Sequence, residues 1–335
     1  MNNPVLRNAY LNITLACEYK CPFCYATDIK KPAKDAKFYP SEKIYRIMDI
    51  LGQNNIKQLS LVGGNPVLHP DFDKFVAYAK EHVGFETLTI MTNTAVIKDE
   101  SIPYIDVLMV TVHSQTASKH DLITSVDGSY SDLIDNLKHF QAKNQQGKIK
   151  IAVNVIPQNY NHLFEIAQTI KNEGLNIDTF VFQRIAPVSL TRLNEEFLIN
   201  AEEANVALKQ MICIRKELGI NTELVDPYPL CFVDKENMEM IVQCKCGISD
   251  INVNGNGDTS RCGADPSYQL GNILETPISE LWNCEELVSF RKREYLPKEC
   301  ESCAVKIRCG GGCPMSTITY KLLHRSHLDM FRKKK

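Results

Sequence analysis

The stretch Cys17-Glu-Tyr-Lys-Cys21-Pro-Phe23-Cys24 constrains this chain more than any other part of it. Three thiols fall within eight residues in a C-x3-C-x2-C spacing, with an aromatic directly before the last. Cysteines this close in sequence are poor disulfide partners for one another and are well placed to wrap one metal centre. A cubane iron–sulfur cluster has four irons, so three protein ligands leave one iron open to a small molecule. The apolar run over residues 9–15 reads as a short buried strand. The loop would hang from its C-terminal end, where parallel α/β folds place their chemistry. The plainer alternatives are a zinc knuckle or buried free cysteines, but zinc sites usually recruit four protein ligands.

Apolar runs at 9–15, 58–62, 87–91, 107–112, 150–155 and 179–183 alternate with amphipathic stretches, as βα units do. Phe72, Phe75, Val76 and Ala79 keep helical spacing after Pro70 and Asp71, and Leu163, Ile166, Ala167 and Ile170 repeat it. Six strands with crossovers predict an α/β fold, a parallel, right-handed partial (β/α)6 barrel. Residues 201–219 read as one linking helix, and Pro227 and Pro229 break the pattern after it. We therefore expect two domains, 1–226 and 227–335.

Eight of the thirteen cysteines lie between Cys244 and Cys313, outside the barrel repeat. One block runs from Cys246 through Gly257-Asp-Thr-Ser-Arg-Cys262, with a turn signal at Asn254-Gly255-Asn256-Gly257 that predicts a β-hairpin. The other is Cys300-x2-Cys303-x5-Cys309-x3-Cys313, in which Gly310 to Gly312 let the backbone wrap a cluster. Alone, this block also reads as a zinc ribbon. So many thiols in a chain with neither a basic n-region nor an apolar h-region at its start point to metal-bound cysteines in a reducing cytoplasm. A net charge of −2 gives no basis for a nucleic-acid partner. No apolar run approaches the roughly 18 residues of a membrane span.

The cysteine loop resembles that of radical S-adenosylmethionine (SAM) enzymes, and the C-terminal blocks resemble the SPASM/twitch extension of the same superfamily. The resemblance implies a [4Fe–4S] cluster on Cys17, Cys21 and Cys24, with SAM on the open iron and Phe23 beside it. Reductive cleavage would release a 5′-deoxyadenosyl radical that abstracts a hydrogen atom. Gly63-Gly64-Asn65-Pro66 resembles the family's Gly-Gly-Glu-Pro segment, which binds the methionine amino group; Asn65 stands where the family usually has Glu. Thr92-Asn93, His113-Ser114, Asn154 and Gln183-Arg184 end later strands and would face the same mouth, with Asn93, Ser114 and Asn154 as further SAM contacts. The implied auxiliary ligands are Cys246, Cys262 and Cys313, completed by Cys244 or Cys231, for one cluster, and Cys300, Cys303 and Cys309 for a second. The family pattern then asks for a cysteine after Cys313, and none follows; His324, His327 and Asp329 are the obvious substitutes. Cys213 and Cys284 are left over.

The leading expectation is an enzyme that modifies a peptide or protein side chain. It would be served by an electron donor such as flavodoxin or ferredoxin. The first strand starts by Ala9, which leaves no room for a built-in leader-binding domain and points to a separate leader-binding protein or to a small substrate. The alternatives are radical oxidation or rearrangement of a small molecule, such as a sugar or cyclitol, and a non-enzymatic iron–sulfur redox sensor.

Overall fold

The computed structural model describes residues 4–26, 30–93, 96–185, 195–264 and 269–316. Each predicted apolar run is a strand: β1 Asn8–Thr14, β2 Gln58–Gly63, β3 Thr87–Thr92, β4 Val107–Thr111, β5 Lys148–Val155 and β6 Ile177–Arg184. All five neighbouring pairs among them are parallel. The helices α1 Ser41–Gln53, α2 Phe72–Ala77, α3 Ala117–Thr124, α4 Ser129–Lys143 and α5 Leu163–Asn172 lie in the crossovers. Helix α1 shows why they form: Ile44, Ile47, Met48 and Leu51 are fully buried at i, i+3, i+4 and i+7. The expected linking helix is α6, Ala201–Cys213, and ends in one wide turn, 214–218. It starts with a capping box between Asn200 and Glu203.

The sheet is wider than the six strands anticipated. A seventh, β7 Asn221–Leu224, pairs parallel to β6. The predicted hairpin is β8 Asp250–Asn254 and β9 Asp258–Ser260, followed by β10 Gln269–Asn272. β8 docks parallel against the free edge of β1, and the whole forms one ten-stranded sheet in the order β10-β9-β8-β1-β2-β3-β4-β5-β6-β7. Covering the β1 edge satisfies a row of backbone groups that would otherwise invite mispairing. The sheet curls strongly: Glu223 of β7 lies 3.7 Å from Lys245, just before β8, although six strands separate β7 from β8.

Alternating side chains divide the sheet into two faces. Leu59, Leu61, Leu88, Ile90, Ile151, Val153, Phe180 and Phe182 pack outward against the helices in the main core. The inner face carries a small cluster of Met91, Met109, Ala152 and Val181. Asn154 follows Ala152 on that inner face and is paired in register with Gln183. The interior is thus apolar in its middle and polar toward the strands' C-terminal ends.

Candidate functional site

The cysteine loop leaves β1 at those C-terminal ends. The bridge between Ala16 and Lys31 closes its base, where Cys17 N–H donates to Lys31 O at 3.0 Å. Cys24 N–H donates to Cys21 O at 3.1 Å, which turns the chain between the second and third thiols. All thirteen cysteines are free thiols. Cys17 is buried, and Cys21 and Cys24 are half-buried.

Groups from four other segments reach this loop. Asn93 Nδ2 donates to Cys17 Sγ at 3.2 Å. His113 Nε2 stands 3.9 Å from Cys21 Sγ. Phe23 is buried with Ile156 and Ile185 and meets the His113 ring edge-on at 5.3 Å. Burial, with His120 beside it, pushes the His113 pKa down to about 3, so its ring is neutral near pH 7. Among the described residues, His113 Nδ1 is buried without a partner.

The Gly63-Gly64 pair serves the loop directly. Gly64 N–H donates to Thr14 O at 2.8 Å, and Asn65 N–H to Ala16 O at 2.7 Å. A Cβ on Gly64 would lie 2.1 Å from Ala16 O, and one on Gly63 would lie 2.3 Å from Thr14 O. Only glycine lets the two backbones approach so closely. Asn65 is fully buried, with Oδ1 accepting from Thr92 Oγ1 at 2.6 Å and Nδ2 donating to Glu18 Oε2 at 3.2 Å. Asn65→Ala should leave a buried hydroxyl unpaired and cost about 1–3 kcal/mol. Anaerobic denaturant unfolding reads that loss, and an unchanged midpoint would show the two bonds to be idle.

The other predicted mouth residues sit as follows. Ser114 is buried and turned into its own loop, its hydroxyl accepting from Thr116 N–H at 3.2 Å. Pro66 opens a short turn over 66–68 and is buried. Arg184 is buried in the seam with the C-terminal part, bonded to Pro227 O at 2.9 Å and Ser316 Oγ at 3.0 Å. Next to it a small cleft is lined by Val155, Arg184, Ile185, Phe197, Leu198 and Ile199.

Other residues at the site carried no signal in the sequence. Asn159 ties the ends of β4 and β5 together, donating 3.0 Å bonds to His113 O and Asn154 O. Lys30 sits among the thiols; burial opposes its charge, yet Cys24 and Cys17 hold its pKa above the usual lysine value. Burial pushes the Cys21 thiol up to about 12, against Lys30 and with help from Cys24 and Cys17. A metal reverses that balance by deprotonating a coordinating thiol.

The C-terminal cysteines gather in two places. Cys246 shares hydrogen bonds with Cys244 and Cys262, which raise its pKa well above the usual thiol value. Cys313 interacts with Cys244 and Cys262, its thiol pushed up chiefly by burial and then by Asp226. Asp226 itself is pushed up to about 6 by burial, against Arg184. Of the two upstream candidates, Cys244 is therefore the one that joins this group. Cys300, Cys303 and Cys309 form the other gathering, and a run of positive φ at Gly310, Gly311 and Gly312 turns the chain from Cys309 to Cys313. His324, His327 and Asp329 lie outside the described residues. Burial pushes Tyr25 up to about 12, against Lys30, with smaller contributions from Cys24 and Cys262.

The donor set fits iron–sulfur clusters. Free thiols, with a cation such as Lys30 beside the primary set to balance charge, suit clusters of several irons.

Comparison with known proteins matches two parts of the chain. Residues 11–170 match the radical SAM superfamily profile, and residues 244–304 match an iron–sulfur cluster-binding domain, SPASM. An S-adenosylmethionine-dependent nucleotide dehydratase of Siniperca chuatsi is 27% identical over 157 residues, 45% of this chain. That match spans only 43% of the dehydratase's length. Pre-heme d1 synthase of Dinoroseobacter shibae is 23% identical over 90% of this chain and 80% of that protein. The crystal structure of Streptococcus suis SuiB bound to S-adenosylmethionine superposes with a TM-score of 0.74 at 19% identity, covering 99% of this chain and 77% of that one. SuiB bound to its precursor peptide SuiA superposes with the same TM-score, 0.74, at 18% identity, covering 98% of this chain and 76% of that one.

Proposed function

We propose that this chain, with its radical SAM match over residues 11–170 and its SPASM iron–sulfur match over 244–304, modifies a peptide or protein substrate by hydrogen-atom abstraction. In this reading residues 1–226 form the SAM-cleaving barrel and 227–335 the auxiliary-cluster domain. Cys17, Cys21 and Cys24 hold the SAM-binding [4Fe–4S] cluster; Cys244, Cys246, Cys262 and Cys313 hold an auxiliary one; Cys300, Cys303 and Cys309 belong to a second. When bound, cluster and SAM together supply one-electron cleavage of the sulfonium and the abstraction that follows.

The chain's own residues position those groups. Gly63 and Gly64 clamp the backbone at the start of the loop, and Asn93 and His113 set two of its thiols. Phe23 and its apolar neighbours keep water from the loop's flank. Asn154 and Gln183, paired in register, offer polar side chains on the inner face that would bind SAM. Glu18 brings a carboxylate to Asn65, at the segment where the family usually has its glutamate.

The observation that carries the reading is the primary thiol loop at the C-terminal ends of the barrel strands, met by Asn93, His113 and the Gly63-Gly64 pair. SuiB, with its precursor peptide, supports a peptide as that substrate. A small molecule is the second reading, favoured by the nucleotide dehydratase and pre-heme d1 synthase among the relatives. The redox-sensor reading is set aside, because it needs no SAM cradle. An external reductant of the flavodoxin or ferredoxin type and a separate leader-binding protein complete the proposal. Among the described residues, no helix is long and apolar enough to cross a membrane.

The test is to replace Cys300 and Cys303 together and follow both products with candidate precursor peptides. Uncoupling is expected, with 5′-deoxyadenosine still formed and the mass-shifted peptide reduced by at least about tenfold. Full coupling in the double variant would leave those cysteines a structural role only. Wild-type turnover that modifies no peptide but consumes a small molecule would favour the second reading.

A further inference from the structure

Among the described residues, Cys300, Cys303 and Cys309 give the second auxiliary site three ligands, and the fold brings a fourth thiol to it from upstream. We propose that Cys231 completes the site formed by Cys300, Cys303 and Cys309, so that this cluster is closed by four thiolates and has no open iron. The inference rests on the auxiliary-cluster reading given above.

Cys231 sits in the middle of the short turn Leu230–Phe232. The preceding Leu230 N–H donates to Cys309 Sγ at 3.3 Å, which places the turn directly against the second gathering of thiols. The turn is held firmly there. Asn205, nearly buried on α6, donates to Phe232 O at 2.9 Å and accepts from Asp234 N–H at 2.8 Å. On the opposing strand of chain, Cys313 N–H donates to Pro227 O at 2.8 Å, and Gly312 packs so tightly that a Cβ would meet Pro229 N at 2.7 Å. Residues 227–231 and 309–313 therefore run side by side. Cys231 interacts with Cys309 and Cys303, and Cys300 interacts with Cys309, Cys231 and Cys303. The first gathering does not need Cys231, because Cys244, Cys246, Cys262 and Cys313 already supply four thiols.

The chemistry follows from the ligand count. A closed four-thiolate cluster offers no iron to a substrate and suits electron transfer alone. Substrate contact would then fall to the barrel mouth.

Two measurements test this, neither of them activity. The first compares iron and sulfide in the Cys17/Cys21/Cys24→Ala background with and without Cys231→Ala, both loaded anaerobically. We expect Cys231→Ala to lose between about one iron, as a four-iron cluster becomes a three-iron one, and about four, as it falls away. Unchanged iron and sulfide would overturn the proposal. The second uses the iron-loaded wild-type chain and needs no variant to fold. Cys231 is exposed, so as a free thiol it is open to iodoacetamide, at a rate slowed by the raised pKa that burial and Cys309 give it. We expect it to resist alkylation until a chelator strips the iron; equal labelling before and after stripping would overturn the proposal. If the triple variant holds no iron at all, the auxiliary-cluster reading fails and this inference with it. If it holds iron that Cys231 does not affect, only this inference fails.

Discussion

Cys21→Ala is expected to abolish SAM cleavage while leaving the auxiliary irons in place. Cys21 is the middle thiol of the loop, and the turn it begins, Cys24 N–H to Cys21 O, brings the third thiol round. Its removal takes one of three thiolates from the cluster; Asn93 bonds the neighbouring Cys17 sulfur, and His113, 3.9 Å from the Cys21 sulfur, loses its thiol neighbour. The rate should fall to the uncatalysed background, a loss of more than about a thousandfold. The C-terminal thiols gather around different segments and should keep their iron. Chromatographic measurement of 5′-deoxyadenosine after anaerobic reconstitution checks the first part, and iron analysis of the same sample the second. A wild-type rate in the iron-loaded variant would remove Cys21 from the site.

The second large effect is expected from a residue that bears no functional group. Gly64→Ala puts a methyl 2.1 Å from Ala16 O and 2.9 Å from Leu15 O, both of them backbone atoms with no rotamer to escape into. Overpacking of this kind costs about 1–3 kcal/mol, and more where the backbone must yield. Here the backbone that yields leads straight into Cys17. A displacement on the order of 1 Å in reacting groups costs on the order of a hundredfold in rate. SAM cleavage should therefore fall by about that factor, with weaker SAM binding by calorimetry. By contrast, Gly84→Ala, at a helix end with open space around it, should leave cleavage within about twofold although its φ of +79° costs roughly 1 kcal/mol of stability. Equal rates in Gly64→Ala and wild type would show that the close approach is dispensable.

The sequence carried the barrel plainly, because buried parallel strands are nearly continuous apolar runs, and Phe180 and Phe182 or Ile149, Ile151 and Val153 leave little choice. The hairpin was equally legible from its Asn-Gly turn. Strand β7, Asn-Thr-Glu-Leu, was not: four residues with three polar side chains make no strand signal, and its pairing with β6 supplies the order. Nor could local pattern show that β8 docks on β1, since nothing in Asp250–Asn254 names a partner more than two hundred residues upstream.

The site followed the same rule. Thiols close in sequence announced themselves through spacing. Contacts made across the fold did not, among them His113 on Cys21, Glu18 on Asn65, Asn159 between two strand ends and Lys30 among the thiols. The Gly63-Gly64 pair was read as a place where a ligand approaches closely. The structure adds a second demand, the carbonyls of Thr14 and Ala16 on its other side. The choice between Cys244 and Cys231 stayed open in the sequence because spacing alone does not say which gathering a lone upstream cysteine joins.

The most direct measurement sets the iron-loaded wild-type chain beside its Cys17/Cys21/Cys24→Ala variant, each given SAM and a strong reductant without oxygen. The expected result is 5′-deoxyadenosine from the wild type alone, with the variant remaining brown and holding residual iron and sulfide. A fully loaded wild type that returns its SAM intact, or a variant that is colourless or carries only zinc, would contradict a SAM-cleaving loop served by separate auxiliary clusters.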